Sequence, residues 1–312
     1  MKLNKFQKAV LISIIATLFL IFVGSLVRVS GSGLGCPDWP RCFGHWIPPL
    51  KASQLPNQFD PANFNVLKTW TEYINRLVGV LVGFCITITF LLSIKYRKTQ
   101  PNIFYSSLAA WLLVIFQGWL GGQVVKSSLQ AWMVTIHMVI ALIIVNILIY
   151  SVFISIHDKI QIDISKAVAK YLSIIIFVLL GLTLIQIVLG TQVREAVDAV
   201  KMGSSFLPRS QWISNVGIIN DIHKTFALTV FIGGCFLIFT AWKYKVLGKL
   251  KTLIYSLTGL ILFQMLLGAG IEYLGVPPAY QILHLTVAAV LLCVEFYSLL
   301  LLYSEDVVIG KQ

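Results

Sequence analysis

Charged residues are scarce in this sequence. They make up 12% of the 312 residues, whereas 58% are hydrophobic and the mean hydropathy is +0.87. A soluble globular protein carries about a quarter charged residues, so that class is excluded. Apolar runs of about 20 residues, the length that crosses a bilayer core as a helix, predict eight transmembrane helices. The predicted spans are 8–28, 71–94, 103–124, 131–154, 169–193, 219–242, 251–273 and 280–303.

Targeting signals are also missing at the N-terminus. Lys2, Lys5 and Lys8 precede the first apolar run, as in a signal peptide, but the run is long for such a segment and no A-x-A cleavage site follows it. The run is therefore predicted to stay as a helix. No Arg- and Ser-rich transit peptide is present either, which favours a prokaryotic plasma membrane.

Acidic residues are half as frequent as basic ones, 12 against 24, and the formal net charge is +12. With the N-terminus inside, the short loops on that side are dense in base, as the positive-inside rule expects. The basic residues on that side are Lys2, Lys5, Lys8, Lys95, Arg97, Lys98, Lys159, Lys166, Lys170, Lys243, Lys245, Lys249, Lys251 and Lys311. The charge thus indicates topology and contact with the lipid bilayer, and no nucleic acid is expected as a partner. Both termini are predicted to be cytoplasmic, with the long connections 29–70 and 194–218 outside.

The sequence repeats itself at nearly one offset. Asn75 in helix 2 matches His223 in helix 6, 148 residues later, and His137 in helix 4 matches His284 in helix 8, 147 residues later. Such a duplication predicts an all-α integral membrane protein whose eight transmembrane helices form two pseudo-symmetric four-helix bundles. The predicted halves are 1–158 and 159–312. Because the even-numbered helices all run inward in this topology, the four matched residues share one depth.

The second half presents two imidazoles on different helices. A lone histidine in a membrane helix is often a packing residue with a hydrogen bond, but a matched pair favours a metal or haem. Zinc takes three or four protein ligands, and only His223 and His284 are offered. Two imidazoles suit a six-coordinate haem iron, whose filled axial positions favour electron transfer over chemistry at the metal.

Basic residues near the same depth are candidates for binding haem propionates. Lys224 follows His223, and Arg194 ends the run Gly190-Thr191-Gln192-Val193-Arg194, which matches Gly24-Ser25-Leu26-Val27-Arg28 in helix 1. An arginine at the hydrocarbon edge can also extend into the lipid headgroups. Its occurrence at matched positions in both halves favours an anionic ligand in each.

The first half differs from the second. Asn75 stands where the second half has His223, and Glu72 and Arg76 lie on the same helix face as Asn75. A haem in this half would have at most one strong axial ligand, His137, with the Glu72 carboxylate beside it. That arrangement favours chemistry, although a simple ion pair between Glu72 and Arg76 is an alternative.

Cys36 and Cys42 lie in the first long connection with five residues between them. On the oxidising side of a membrane such a pair can close a small disulfide loop, while free thiols or a transient metal site are the alternatives. The other three cysteines, Cys85, Cys235 and Cys293, fall inside predicted helices and are interpreted as small buried side chains.

The chain resembles the haem A synthase family over nearly its whole length. The resemblance rests on the eight-helix duplicated plan, on Gly35-Cys36-Pro37-Asp38-Trp39-Pro40-Arg41-Cys42 after helix 1, on Glu72-Tyr73-Ile74-Asn75-Arg76-Leu77 in helix 2, and on the histidines of helices 4, 6 and 8. It implies oxidation of a ring methyl of haem O to the formyl group of haem A, for cytochrome oxidase assembly.

The resemblance also implies roles for individual residues. His223 and His284 would ligate a resident haem b, His137 would face the substrate haem O, Glu72 would be catalytic, and Cys36 and Cys42 would form the disulfide. Asn75 departs from the family pattern, which has histidine there. An external electron donor and haem O synthase are the expected protein partners. A b-type cytochrome that only carries electrons is the main alternative, and a haem or lipid transporter is another.

Overall fold

The computed structural model describes residues 3–157, 160–203 and 207–304, and their regular structure is helical apart from an isolated bridge between Cys42 and His45. Eight helices in these ranges are long and apolar enough to cross a membrane, which confirms the predicted fold class. They are α1 Lys5–Val29, α2 Val66–Ser93, α3 Pro101–Lys126, α4 Ala131–Ile154, α5 Lys166–Gly203, α6 Ile218–Lys243, α7 Gly248–Tyr273 and α8 Pro278–Tyr303. Lys2, Lys159 and Lys311, which enter the topology prediction, lie outside the described residues.

The helices begin at residues that favour helix starts. Asn4 caps α1 by accepting a hydrogen bond from the backbone of Gln7, whose side chain in turn accepts one from the backbone of Asn4. Pro101 and Pro278 occupy the first turns of α3 and α8, where the missing N–H of proline costs nothing. These local signals therefore position the helix starts.

Helix α5 is longer than predicted. The prediction ended it at residue 193, but the helix continues to Gly203, so Arg194 and the first part of the predicted connection 194–218 are helical. Hydropathy fails here because the added turns are stabilised by polar and packing contacts. Arg194 pairs with Asp198 one turn later at 2.9 Å, and Val197 is buried in a cluster with Ile213.

The chain divides into two compact units, residues 1–151 and 152–312. In the first, α1 packs on α2 and α2 on α3. The Ser13 and Thr89 hydroxyls share a buried hydrogen bond of 3.0 Å between α1 and α2, and Ser151 on α4 donates to Ser106 on α3 at 2.7 Å. Such polar contacts hold apolar helices together where burial from water offers little driving force.

In the second unit α5, α6, α7 and α8 form a closed ring of packed helices. Its core consists of aliphatic side chains from all four helices, including Leu172, Ile176, Leu179, Leu237, Leu257 and Leu291. Thr183 on α5 donates a 2.8 Å hydrogen bond to the fully buried Glu295 on α8. The assignment of one haem site to each predicted half, 1–158 and 159–312, stays a prediction.

The first connection, residues 30–65, forms a small lobe around a disulfide. Cys36 and Cys42 are bridged with their Cα atoms 4.7 Å apart, and Phe43 is buried beside them. The Asp38 carboxylate accepts hydrogen bonds from the backbone N–H groups of Phe43 and Gly44, at 2.6 and 2.8 Å. These hydrogen bonds therefore stabilise the loop in addition to the disulfide.

The disulfide can be checked by thiol labelling. When the protein is denatured and alkylated without reductant, mass spectrometry should find label on Cys85, Cys235 and Cys293 and none on Cys36 or Cys42, because a disulfide sulfur does not alkylate. Reduction first should add both. A Cys36→Ser variant is the control, since it should free Cys42 for labelling; full labelling of both cysteines in the unreduced wild type would contradict the bridge.

Candidate functional site

The two imidazoles of the second unit face each other. His223 lies in the second turn of α6 and His284 in the second turn of α8. Their ring centroids are 6.4 Å apart, and the ring planes are inclined at 70°. The two rings therefore lie close together, and their role as ligands of one haem iron stays a prediction.

Glutamines from neighbouring helices hold the backbone beside each imidazole. The Gln186 side chain on α5 donates to the carbonyl of His223 at 3.0 Å, and Gln264 on α7 donates to the carbonyl of His284 at 2.8 Å. The Gln186 amide nitrogen also lies 3.3 Å from Nε2 of His223. Sequence reasoning assigned Gln186 no role, although it stands four residues before Gly190 as Gln264 stands before Gly268.

The ring nitrogens of this pair can take further ligands. Nδ1 of His223 and of His284 is buried and has no hydrogen-bond partner among the described residues. Two metal–nitrogen bonds of about 2 Å each plus two ring radii come to roughly 6 Å, close to the observed separation of the rings. The described residues form no group of three or more His, Cys, Asp and Glu that could hold a metal ion. The pair thus fits an iron that brings its own equatorial ligands.

The predicted propionate partners already have polar partners. Arg194 on α5 pairs with Asp198 and donates a hydrogen bond to the side chain of Gln281 on α8. Lys224 on α6 pairs with Glu272 on α7 at 2.9 Å. Sequence reasoning missed Gln281 and Glu272, because the contacts join helices that are far apart in the chain. A haem propionate bound here would interact with cations that already pair with carboxylates. Its binding by Arg194 and Lys224 stays a prediction.

In the first unit, His137 is arranged as the other histidines are. Gln117 on α3 donates to the carbonyl of His137 on α4 at 2.5 Å, and Nδ1 of His137 is buried without a partner among the described residues. Asn75 lies on α2, and its side-chain oxygen is likewise buried and unpartnered within the described chain. Arg28 lies half-buried in the last turn of α1.

Glu72 and Arg76 form the ion pair that was the alternative interpretation, but they do more than pair. Arg76 donates to Oε1 of Glu72 through Nε at 3.1 Å, and the backbone N–H of Cys36 donates to Oε2 at 2.7 Å. Arg76 also donates to the carbonyls of Asp38 and Arg41, both at 2.8 Å. Glu72, which is 3% exposed, and Arg76 therefore fasten the disulfide loop to α2.

Close backbone approach completes this attachment. A Cβ at Gly35 would lie 2.3 Å from the carbonyl oxygen of Lys68, so only glycine allows the loop to lie against the start of α2. From the loop, the ring of Trp39 packs on α3 at Gly122, where a Cβ would be 2.9 Å from the ring. The next residue back, Gly121, faces the ring of His137, so the loop lies against the helix that borders this imidazole.

Comparison with known proteins gives consistent matches. The sequence model of the family described as "COX15-CtaA: Cytochrome oxidase assembly protein" matches residues 7–296. A Shewanella oneidensis protein named Heme A synthase is 25% identical over 309 residues, covering 90% of this chain and 92% of the relative. A Flavobacterium johnsoniae protein of the same name is 23% identical over 344 residues, covering 95% and 98%. An Alkalihalophilus pseudofirmus protein with that name is 38% identical over 122 residues, covering 38% and 36%.

Proposed function

This chain belongs to the COX15-CtaA family of cytochrome oxidase assembly proteins, and on that premise we propose that it is a haem A synthase of a prokaryotic membrane. It is an oxidoreductase that converts a ring methyl of haem O to the formyl group of haem A. The conversion adds one oxygen atom and removes two hydrogens from the methyl carbon. The observation that carries the proposal is the match along almost the entire chain to proteins named Heme A synthase.

We assign the substrate haem O to the first unit. His137 would present Nε2 to the substrate iron, with Asn75 on α2 and the buried carboxylate of Glu72 in the same unit. Glu72 is the proposed catalytic group, because a carboxylate can accept a proton or stabilise positive charge as the methyl is oxidised. Arg28 and Arg76 are the basic groups of this unit that would bind or orient the substrate's propionates.

We assign a resident haem b to the second unit, where His223 and His284 would hold its iron. A haem held by two imidazoles would supply electron transfer. The chain's part is to fix the two rings, which Gln186 and Gln264 support through the histidine carbonyls. Arg194 and Lys224 would compensate the charge of the propionates.

The proposed topology follows from the loop charges. Both termini would be cytoplasmic in a plasma membrane, because basic residues concentrate in the loops on that side. The disulfide lobe would then face the oxidising side, where a disulfide persists. An external electron donor and haem O synthase, which makes the substrate, are the proposed protein partners.

The test is haem extraction from the purified protein. Expressed in a host that makes haem O, the protein should yield haem A together with haem b, and in a host without haem O it should yield haem b alone. Membranes of each host without this chain are the control. A protein that contains haem b but forms no haem A when haem O is supplied would instead be an electron-carrying b-type cytochrome.

A further inference from the structure

Three of the four matched positions share one local arrangement. On the helix before each histidine, a glutamine donates to the histidine carbonyl, and a glycine four residues later faces the edge of the ring. A Cβ at the glycine would lie 3.3 to 3.5 Å from Cε1 of the imidazole, which is at or slightly below the shortest ordinary van der Waals distance. The three sets are Gln117 and Gly121 with His137, Gln186 and Gly190 with His223, and Gln264 and Gly268 with His284.

This arrangement fixes the position of an imidazole. The glutamine holds the backbone at the histidine, and the glycine leaves room for the edge of the ring at the neighbouring helix. In each case Nδ1 is buried and has no hydrogen-bond partner among the described residues. Groups that orient a ligating histidine are commonly as important to metal affinity as the ligand itself.

The fourth matched position, Asn75, lacks both the imidazole and the supporting glutamine. The offset of 166 residues that relates Arg28 to Arg194 places Leu20 opposite Gln186 and Gly24 opposite Gly190. Asn75 replaces the imidazole, and the supporting glutamine is replaced by Leu20. A Cβ at Gly24 would lie 3.9 Å from Oδ1 of Asn75, so the contact is looser than at the three histidines.

Asn75 cannot serve as the missing ligand in the way the histidines do. Its side chain is shorter than that of histidine, and a carboxamide is a poorer ligand for iron than an imidazole. Its Oδ1 is nevertheless buried without a hydrogen-bond donor among the described residues, which is costly unless a ligand satisfies it. The imidazole and the glutamine that would support it are therefore both missing at Asn75.

We propose that the iron of the substrate haem O is held on one face by His137 alone, and that its opposite face, at Asn75, is open to a small exogenous ligand. The inference rests on the proposed function and goes beyond it by giving the two haems different coordination. The haem of the second unit is closed by two supported imidazoles. The substrate haem has one supported imidazole and one open axial position.

Carbon monoxide is the probe that tests this coordination. In the purified full-length protein carrying haem b and haem O, the haem O is expected to be high-spin and, when reduced, to bind carbon monoxide, while haem b stays low-spin. In Asn75→His the haem O should become low-spin, and its carbon monoxide binding should fall by roughly tenfold or more as an imidazole takes the open position. Adding Leu20→Gln should make the low-spin form more complete by restoring the glutamine.

Asn215→His is the matched control, because it makes the same substitution at an exposed position outside the eight transmembrane helices and should leave both haems unchanged. A wild-type haem O that is low-spin and resists carbon monoxide would overturn the inference, as would an Asn75→His variant with unchanged binding. If such a protein still forms haem A, only the coordination inference fails. A protein that binds no haem O at all would fail the proposed function itself.

Discussion

Replacing His223 or His284 with alanine is expected to remove the low-spin haem b spectrum while the protein still inserts into the membrane. Each ring fills one axial position of the proposed haem, so a single loss breaks the six-coordinate state. Insertion should persist because the hydrophobicity of the eight helices, which drives it, is unchanged. The measurement is the reduced-minus-oxidised spectrum of the purified variant at equal protein amounts.

His45→Ala is the control for these variants, because it removes an imidazole that is exposed in the first connection. It should leave the spectrum unchanged. Retention of the full low-spin signal in both His223→Ala and His284→Ala would refute the ligand assignment. If only one of the two variants loses the low-spin signal, another side chain must take the place of the histidine that is removed in the variant that keeps the signal.

Replacing Glu72 with glutamine is expected to reduce haem A formation by about a hundredfold or more while leaving haem b and haem O bound. Glutamine lacks the charge, and its amide nitrogen would face either the Arg76 guanidinium or the backbone N–H of Cys36, which are both donors. Each hydrogen bond to a charged group contributes about 1.5–3 kcal/mol, so the disulfide loop should also be held less firmly. Haem A is measured by chromatography in cells that supply haem O.

A second variant separates the carboxylate of Glu72 from the two roles given to Arg76, which are loop attachment and propionate binding. Arg76→Gln removes the hydrogen bonds to the carbonyls of Asp38 and Arg41 but keeps the carboxylate, so it should retain more haem A formation than Glu72→Gln. Asp60→Asn is the control for changing a carboxylate to an amide, because Asp60 is exposed in the same connection. Near-normal conversion by Glu72→Gln would return Glu72 to a purely structural role.

Much of the fold could be predicted because a bilayer restricts what a chain can do. Runs of apolar residues must cross it as helices, since unpaired backbone groups are too costly in hydrocarbon. The eight spans and the start of α8 at Pro278 therefore follow from local sequence. The prediction ended α5 ten residues early because hydropathy does not register the pairing of Arg194 with Asp198.

The candidate site was predictable in its residue types and less so in its contacts. The duplication matched His223 with Asn75 and His284 with His137. The structure brings the rings of His223 and His284 to 6.4 Å. Sequence reasoning also paired Glu72 with Arg76, since residues four apart on a helix are neighbours. Helical periodicity of this kind predicts contacts only within one helix.

Only the tertiary structure determined which groups distant in sequence form hydrogen bonds with these residues. Cys36 is 36 residues from Glu72, and Gln186 is 37 residues from His223, and no spacing rule links either pair. Such bonds depend on which helix faces meet and on glycines such as Gly35 that let backbones approach. Sequence determined the helices, the repeat and the histidines that are candidate ligands, whereas packing determined that Glu72 holds the disulfide loop and that glutamines support the imidazoles. The physical reason is that helix formation is local, while a hydrogen bond between helices exists only after they have packed.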